Sequence, residues 1–357
     1  MARIGIAGAG VLGRLLAWRL SHTGQAVTVF DPAPGPQAPA TGQLADTTPH
    51  AAGFTAAGML SPLAELDHSG PAIARLGWRS LALWRDVAQA LRKQGCGAPL
   101  FAQHGSLLLA HGADLGAARR VLARLEATPD LPAPQPLDRD ALAALEPALT
   151  RDLHGWLLPN EGQVMGRDML HALATHAPGV DWRWNQRVET VAPHTLHTDD
   201  GTPHRVDLAI DVRGLGARPA LPLRGVRGEV VWLHAPGLRL LRPLRLLHPR
   251  HRVYVVPRPG DLFVVGASEI ESEDRSPVSL RSAVELMAAA HSVLPELAEA
   301  RIVHMENNLR PALPNNEPHT HTAPGLLRIN GLFRHGWLLA PALVEDALAD
   351  LGDLKHV

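Results

Sequence analysis

"RIGIAGAGVLGRLLAWRL", residues 3–20, decides how the rest of the chain is read. "RIGIAG" has the composition of a short buried strand, and the next stretch sets Leu12, Leu15, Leu16 and Leu20 on one face of a helix. Between them lies Gly8-x-Gly10-x-x-Gly13. Gly8 permits a tight turn, Gly10 lets a pyrophosphate approach the backbone, and Gly13 allows helix and strand to pack closely. The helix N-terminus, with Val11 and Leu12, offers free N–H groups and a partial positive charge to phosphate.

"QAVTVFD" follows as a second strand and ends at Asp31, eighteen residues after Gly13. A carboxylate there accepts hydrogen bonds from both ribose hydroxyls and repels a 2′-phosphate. Strand, helix and acid in register make a βαβ opening and predict a parallel sheet with a bound dinucleotide. The fingerprint alone does not separate FAD from NAD.

Composition narrows the rest. A chain of 357 residues exceeds what one hydrophobic core usually serves, so two lobes are expected. A formal net charge of -1 gives no reason to expect a nucleic-acid or anionic-membrane surface. Cys96 is the only cysteine, which excludes an internal disulfide framework and fits a reducing compartment. The apolar N-terminus mimics a signal peptide, but its glycine spacing and Arg14 and Arg19 argue against one. No segment reaches a membrane-spanning length of uninterrupted apolar residues, so a cytoplasmic protein is expected.

Further along, residues 32–42 read as an exposed Pro/Ala/Gly loop and residues 70–93 as one long amphipathic helix. "GSLLLAH" (105–111) reads as a strand, and "VDWRWNQRVETVA" (180–192) as a strand pair. "GEVVWLH", "RVYVVPR" and "DLFVVGAS" are β-rich runs separated by Pro and Gly, which predict the antiparallel sheet of a second lobe. The chain then returns to a strand, "LLRIN", a glycine loop, and a last helix expected to begin at Pro341. Nucleotide-type features at the start, middle and end make the lobes interleaved rather than serial.

Three further stretches bear chemistry. In "DLAIDVRGLGARPAL" a strand runs into Gly214 and Gly216, either a backbone turn beside a cofactor or a plain glycine turn. In "ENNLRPALP" Arg310 precedes a proline and is held extended, while Tyr254, the only tyrosine, alternates with Val253 and Val255. Guanidinium plus phenol suits a carboxylate ligand; a surface salt bridge and ordinary strand packing read equally well. In "NGLFRHGWLLAP" (330–341) Arg334 and His335 stand between glycines against an apolar run, so the arginine needs a partner, and a ligand is the expected one. The twenty histidines, including His319-x-His321 and the pair His248 and His251, lack cysteine partners or a carboxylate pattern, so no metal site is expected.

Taken together these pieces resemble the FAD-dependent D-amino-acid oxidase family, and within it the glycine oxidases of thiamine biosynthesis. The resemblance runs nearly the whole chain. It rests on "GIAGAGVLG" with Asp31, "AAGFTAAGMLSP" (51–62), "RVYVVPR" with "DLFVVGASE", "LRPALP" and "GLFRHGWLLAPALVEDAL". It implies an α/β, two-lobed flavoprotein. A Rossmann-like FAD lobe (residues 1–75, 150–220 and 306–357) is interleaved with an α+β substrate lobe on a mainly antiparallel sheet (76–149 and 221–305).

The resemblance further implies that Ala57, Gly58 and Met59 pass close to the flavin and that Val188 meets the adenine end through its backbone. Arg334, His335, Gly336, Trp337, Leu338 and Leu339 would lie beside the flavin pyrimidine ring. Arg310 and Tyr254 would hold the substrate carboxylate, with Arg334 a second arginine near it. Leu332, Asn308 and Asn315 depart from the family pattern without removing an expected ligand.

The implied reaction is oxidation of glycine or another small amino acid by bound FAD and oxygen, with no separate catalytic acid or base. Thiazole synthase is a candidate acceptor of the imine, and a homo-oligomer is expected. An amino-acid dehydrogenase passing electrons to a quinone or partner protein, and a non-catalytic flavoprotein subunit, are the competing readings.

Overall fold

The computed structural model describes residues 1–37, 50–247 and 253–353. His248, His251 and part of the 32–42 loop lie outside the described residues. The opening motif folds as read: β1 (Arg3–Ala7), α1 (Val11–Ser21) and β2 (Ala26–Asp31). β1 pairs in parallel with β2 on one side and with Leu208–Asp211 on the other. Leu326–Asn330 extends that sheet in parallel beyond Leu208–Asp211, and His319–Ala323 closes the edge antiparallel. The opposite edge is Asp181–Trp184, parallel to β2.

Alternation of β-branched and small residues makes these strands fit a sheet covered on both faces. Leu15 and Leu16 of α1 are buried beneath it, each stabilising the fold by about 1.5–3 kcal/mol. Arg14 is buried in the same helix and is satisfied by the carbonyls of Ala9, Pro36 and Leu170. Burial pushes its guanidinium down to about 10, with Asp31 acting the other way.

The second sheet has eight strands. Its mainly antiparallel part runs Arg301–Ala312, Arg224–His234, Leu262–Gly266, Val253–Arg258 and Leu244–Leu246. Ser106–Ala110 joins it through one parallel pairing, followed by His154–Leu158 and Gln135–Leu137. The helix Leu280–Val293 covers one face through Leu286, Ala290 and Val293. Sheet membership therefore alternates along the chain. Against the second sheet, Ala57 packs with Val230, Val256 and Val264, and Met59 and Tyr254 flank that cluster.

Two expectations are corrected. The segment 180–192 is not a strand pair: Asp181–Trp184 belongs to the first sheet, whereas Val188–Ala192 joins a separate antiparallel sheet with Thr195–Thr198 and Pro203–Arg205. The last helix runs Gly336–Asp353 and contains Pro341 instead of starting there. Proline lacks the N–H that would bond the carbonyl four residues back, at Trp337. The Trp84 indole donates to that carbonyl at 2.7 Å instead, so the helix tolerates the proline. Among the described residues no helix is long and apolar enough to cross a membrane.

Candidate active site

The C-terminal ends of the parallel strands open on one cavity of about 990 Å³, where ligands of open α/β sheets bind. Gly8 and Gly10 line it after β1, Asp31 after β2, Gly214 and Gly216 after Leu208–Asp211, and Leu332 after Leu326–Asn330. Gly8 has φ +103°, and a side chain there would press on the Val212 carbonyl. A Cβ on Gly13 would overlap the Gly8 carbonyl oxygen, whereas one on Gly10 would meet nothing closer than 3.7 Å. Gly13 thus serves packing and lies outside the cavity wall, and Gly10 keeps the backbone open to a ligand.

The first intrahelical bond of α1 runs from the Arg14 N–H to the Gly10 carbonyl at 3.0 Å. The N–H groups of residues 11–13 therefore precede the helix ladder, and Val11 and Leu12 line the cavity. Asp31 accepts from the N–H of Ala9 at 2.6 Å and of Ala33 at 2.8 Å. Its carboxylate has lone pairs left over, enough for ribose hydroxyls. Val188 lines the cavity, its carbonyl accepting from Arg213 at 2.9 Å.

Ala57, Gly58 and Met59 line the same cavity. Gly58 has φ +70°, and its carbonyl accepts from Val164 at 2.8 Å. Gly336, Trp337 and Leu338 bring the N-terminus of the last helix to the wall, while Leu339 is fully buried behind it. Two helix N-termini, a glycine cradle and an acidic strand end suit a dianionic dinucleotide with a ribose.

Arg310 and Tyr254, far apart in sequence, line this cavity too. Each owes its place to a glycine on a neighbouring strand. Gly228 lies beneath Arg310, where any Cβ would overlap the guanidinium, and Gly266 lies opposite Tyr254 in register, 2.6 Å from its hydroxyl were a Cβ added. Arg310 donates to the carbonyls of Ser268 at 3.0 Å and Arg227 at 3.3 Å and makes no ion pair among the described residues. Burial lowers its guanidinium from the ordinary value, opposed by Tyr254 and Glu269. Burial likewise raises the Tyr254 hydroxyl, which stays a neutral donor.

Arg334 does not lack a partner within the chain, which corrects the expectation that a ligand supplies one. Glu65 accepts from it at 2.7 Å and Glu269 at 3.4 Å. Glu65 also takes Arg245 at 3.3 Å and the His335 ring at 2.9 Å. Burial opposes the Glu65 charge, but Arg334, His335 and Arg245 together hold its carboxyl well below the usual range. His335 thereby gains a place: its Nε2 faces Glu65, while Nδ1 is buried without a hydrogen-bond partner among the described residues.

Sequence reasoning missed Glu65, Arg245, Glu269, Gly228 and Gly266. The two glycines interrupt strands, a sign of close approach that was open to use. The acids and Arg245 carry no local signal, because their partners come from distant segments. Behind the wall, Glu161 is fully buried against Ser61, Ser106 and the Leu63 N–H, and burial pushes it up to about 7. Among the described residues no cluster of three His, Cys, Asp or Glu could hold a metal ion, and His319 and His321 sit stacked on an edge strand.

Known proteins resemble this chain in sequence and fold. A Rhizobium etli protein named as the thiamine biosynthesis oxidoreductase ThiO is 35% identical over 348 residues, covering 96% of this chain and 94% of its own. Glycine oxidase from Geobacillus kaustophilus is 26% identical over 386 residues, covering 99% of this chain and 93% of its own. Its crystal structure matches with a TM-score of 0.82 at 25% identity, over 98% of this chain and 95% of that one. A Nostoc bifunctional protein, ThiO/ThiG, is 27% identical across 97% of this chain, which spans 52% of that longer protein. The FAD dependent oxidoreductase (DAO) family matches residues 3–351. With the cofactor cradle and a free guanidinium meeting in one cavity, and that match across almost the entire sequence, the chain belongs to the FAD dependent oxidoreductase family.

Proposed function

We propose that this protein oxidises glycine or a comparably small amino acid at its α-carbon, giving an imino acid and hydrogen peroxide. The observation that carries the reading is Arg310, a cavity guanidinium with only backbone carbonyls as partners among the described residues, beside the Tyr254 hydroxyl. Arginine binds carboxylate in a two-pronged geometry, and a phenol adds one further donor. FAD, when bound, supplies the acceptor for the hydride leaving the α-carbon.

The chain's own residues bind and orient. Gly8, Gly10, Val11, Leu12 and Asp31 would hold the dinucleotide, with Gly13 packing behind them. Val188, Gly214 and Gly216 would flank its adenine half. Residues 57–59 and 334–338 would wall the flavin, and Leu339 would support that wall. Arg310 and Tyr254 would fix the substrate carboxylate, so that little beyond orientation is asked of the protein. Arg334, paired with Glu65 and Glu269, would shape this wall and not serve as a second free anion site.

Glycine-sized substrates are supported by the name of the Geobacillus relative. Thiamine biosynthesis is supported by the Rhizobium relative, and delivery of the imine to thiazole synthase by the ThiO/ThiG chain of Nostoc. The test is aerobic turnover with a panel of glycine, sarcosine and small D-amino acids. Peroxide and ammonia released in equal amounts are expected from glycine and the D-amino acids, with methylamine in place of ammonia from sarcosine. Turnover with an artificial electron acceptor but no peroxide would make the protein a dehydrogenase.

A further inference from the structure

Two neighbouring charges of opposite sign on the cavity wall are weakly partnered among the described residues. Arg310 is the positive one: of five guanidinium N–H donors, two bonds are made among the described residues, both to backbone carbonyls. Glu269 is the negative one. Its side chain is 43% exposed, and its one ion pair among the described residues is a 3.4 Å contact to Arg334. Arg334 is held first by Glu65 at 2.7 Å, a carboxylate it shares with Arg245 at 3.3 Å, and Glu269 is its longer, half-exposed second partner.

Glu65 shows the contrast. Its charge is answered by Arg334, Arg245 and His335. Glu269 follows directly on Ser268, whose carbonyl takes a bond from Arg310. The two unsatisfied charges therefore flank the same short stretch of wall, and both line the cavity. No ion pair joins them, so Glu269 is not simply the counterion of Arg310. A site built for an anion alone gains nothing from an exposed carboxylate beside this guanidinium, since like charges repel.

We propose that Glu269 receives the ammonium group of the substrate while Arg310 receives its carboxylate, so that the cavity selects small zwitterions over simple carboxylates. This rests on the amino-acid-oxidising function proposed above and names the group that recognises the amine. It makes Glu269 a specificity-determining residue of the reaction. Tyr254 and Arg310 alone would accept acetate as readily as glycine.

The test compares wild type, Glu269→Gln and Glu269→Asp as FAD-loaded proteins. Acetate and propionate are titrated through their perturbation of the flavin absorbance; glycine and D-alanine are followed by anaerobic flavin reduction. For Glu269→Gln, an apparent affinity for the amino acids at least about tenfold weaker is expected, the loss of a charge-assisted bond. Acetate and propionate should bind within about twofold of wild type or more tightly, as repulsion is removed. Glu269→Asp should recover part of the amino-acid affinity.

Equal weakening for both ligand classes, or unchanged or tighter amino-acid binding, would overturn the proposal. Wild-type flavin that neither amino acid reduces would overturn the underlying function instead, and the wild-type arm shows this separately.

Discussion

The cofactor half and the substrate half of the cavity are built by different means. In the first, backbone does the work: Gly8, Gly10 and Gly13 shape a loop and a helix start within six residues, and Asp31 follows at the end of the next strand. In the second, side chains from five separated segments meet, with Glu65, Arg245, Tyr254, Glu269 and Arg310 each contributed by a different one. Glycine serves both, but at different ranges. Gly13 clears its own turn, whereas Gly228 and Gly266 clear space for side chains on neighbouring strands. Local sequence thus builds the cofactor site, and tertiary pairing builds the substrate site.

That difference is open to breaking. The largest effect is expected from Gly13→Ala, whose Cβ would overlap the Gly8 carbonyl. Forcing helix and loop apart should cost roughly 3 kcal/mol and weaken FAD binding about a hundredfold, measured by flavin fluorescence on reconstitution. Next, Arg310→Ala should weaken apparent glycine binding at least about a hundredfold, from the loss of a desolvated charge pair. Gly228→Ala should do nearly the same without touching the arginine, by displacing its guanidinium, while FAD affinity stays within about threefold of wild type. Loss of FAD from Gly228→Ala would show that the two halves are not independent.

Glu65→Gln sharpens the comparison from the other side. Its carboxylate joins Arg334, Arg245 and His335, so the change should destabilise the protein by about 2 kcal/mol at neutral pH. Because its folded pKa is depressed, the stabilisation is fully present above the ordinary glutamate value of about 4.3. It is lost as pH falls through the lower folded value. Thermal melts between neutral and acid pH should therefore show a shallower acid decline in Glu65→Gln than in wild type. The smallest effect is expected for Tyr254→Phe, about 1–1.5 kcal/mol for one hydrogen bond, read as a several-fold rise in the Michaelis constant for glycine. No rise would reduce Tyr254 to packing.

The same contrast explains how far the sequence could be read. The dinucleotide fingerprint and the helix at Pro71–Lys93 depend on residues close in sequence, so their spacing carried the message. The start of the last helix did not follow the proline rule, because a tryptophan more than 250 residues away satisfies the Trp337 carbonyl. Arg334 looked partnerless for a similar reason: Glu65 is remote in sequence and sits on a four-residue helix with no motif of its own. The chemistry of Arg310 and Tyr254 suited a carboxylate but left a salt bridge and strand packing equally open; family likeness decided for the clamp, since nothing in their spacing brings their strands together.

The central claim is that one cavity places an amino acid against the flavin, with Arg310 holding its carboxylate. Its most direct test is anaerobic mixing of the FAD-loaded protein with excess glycine while the flavin absorbance is recorded. Complete bleaching is predicted; once the excess glycine is removed anaerobically, admitting air should restore the flavin fully and give one peroxide per flavin. Flavin that dithionite bleaches but glycine, sarcosine and small D-amino acids all leave oxidised would contradict it.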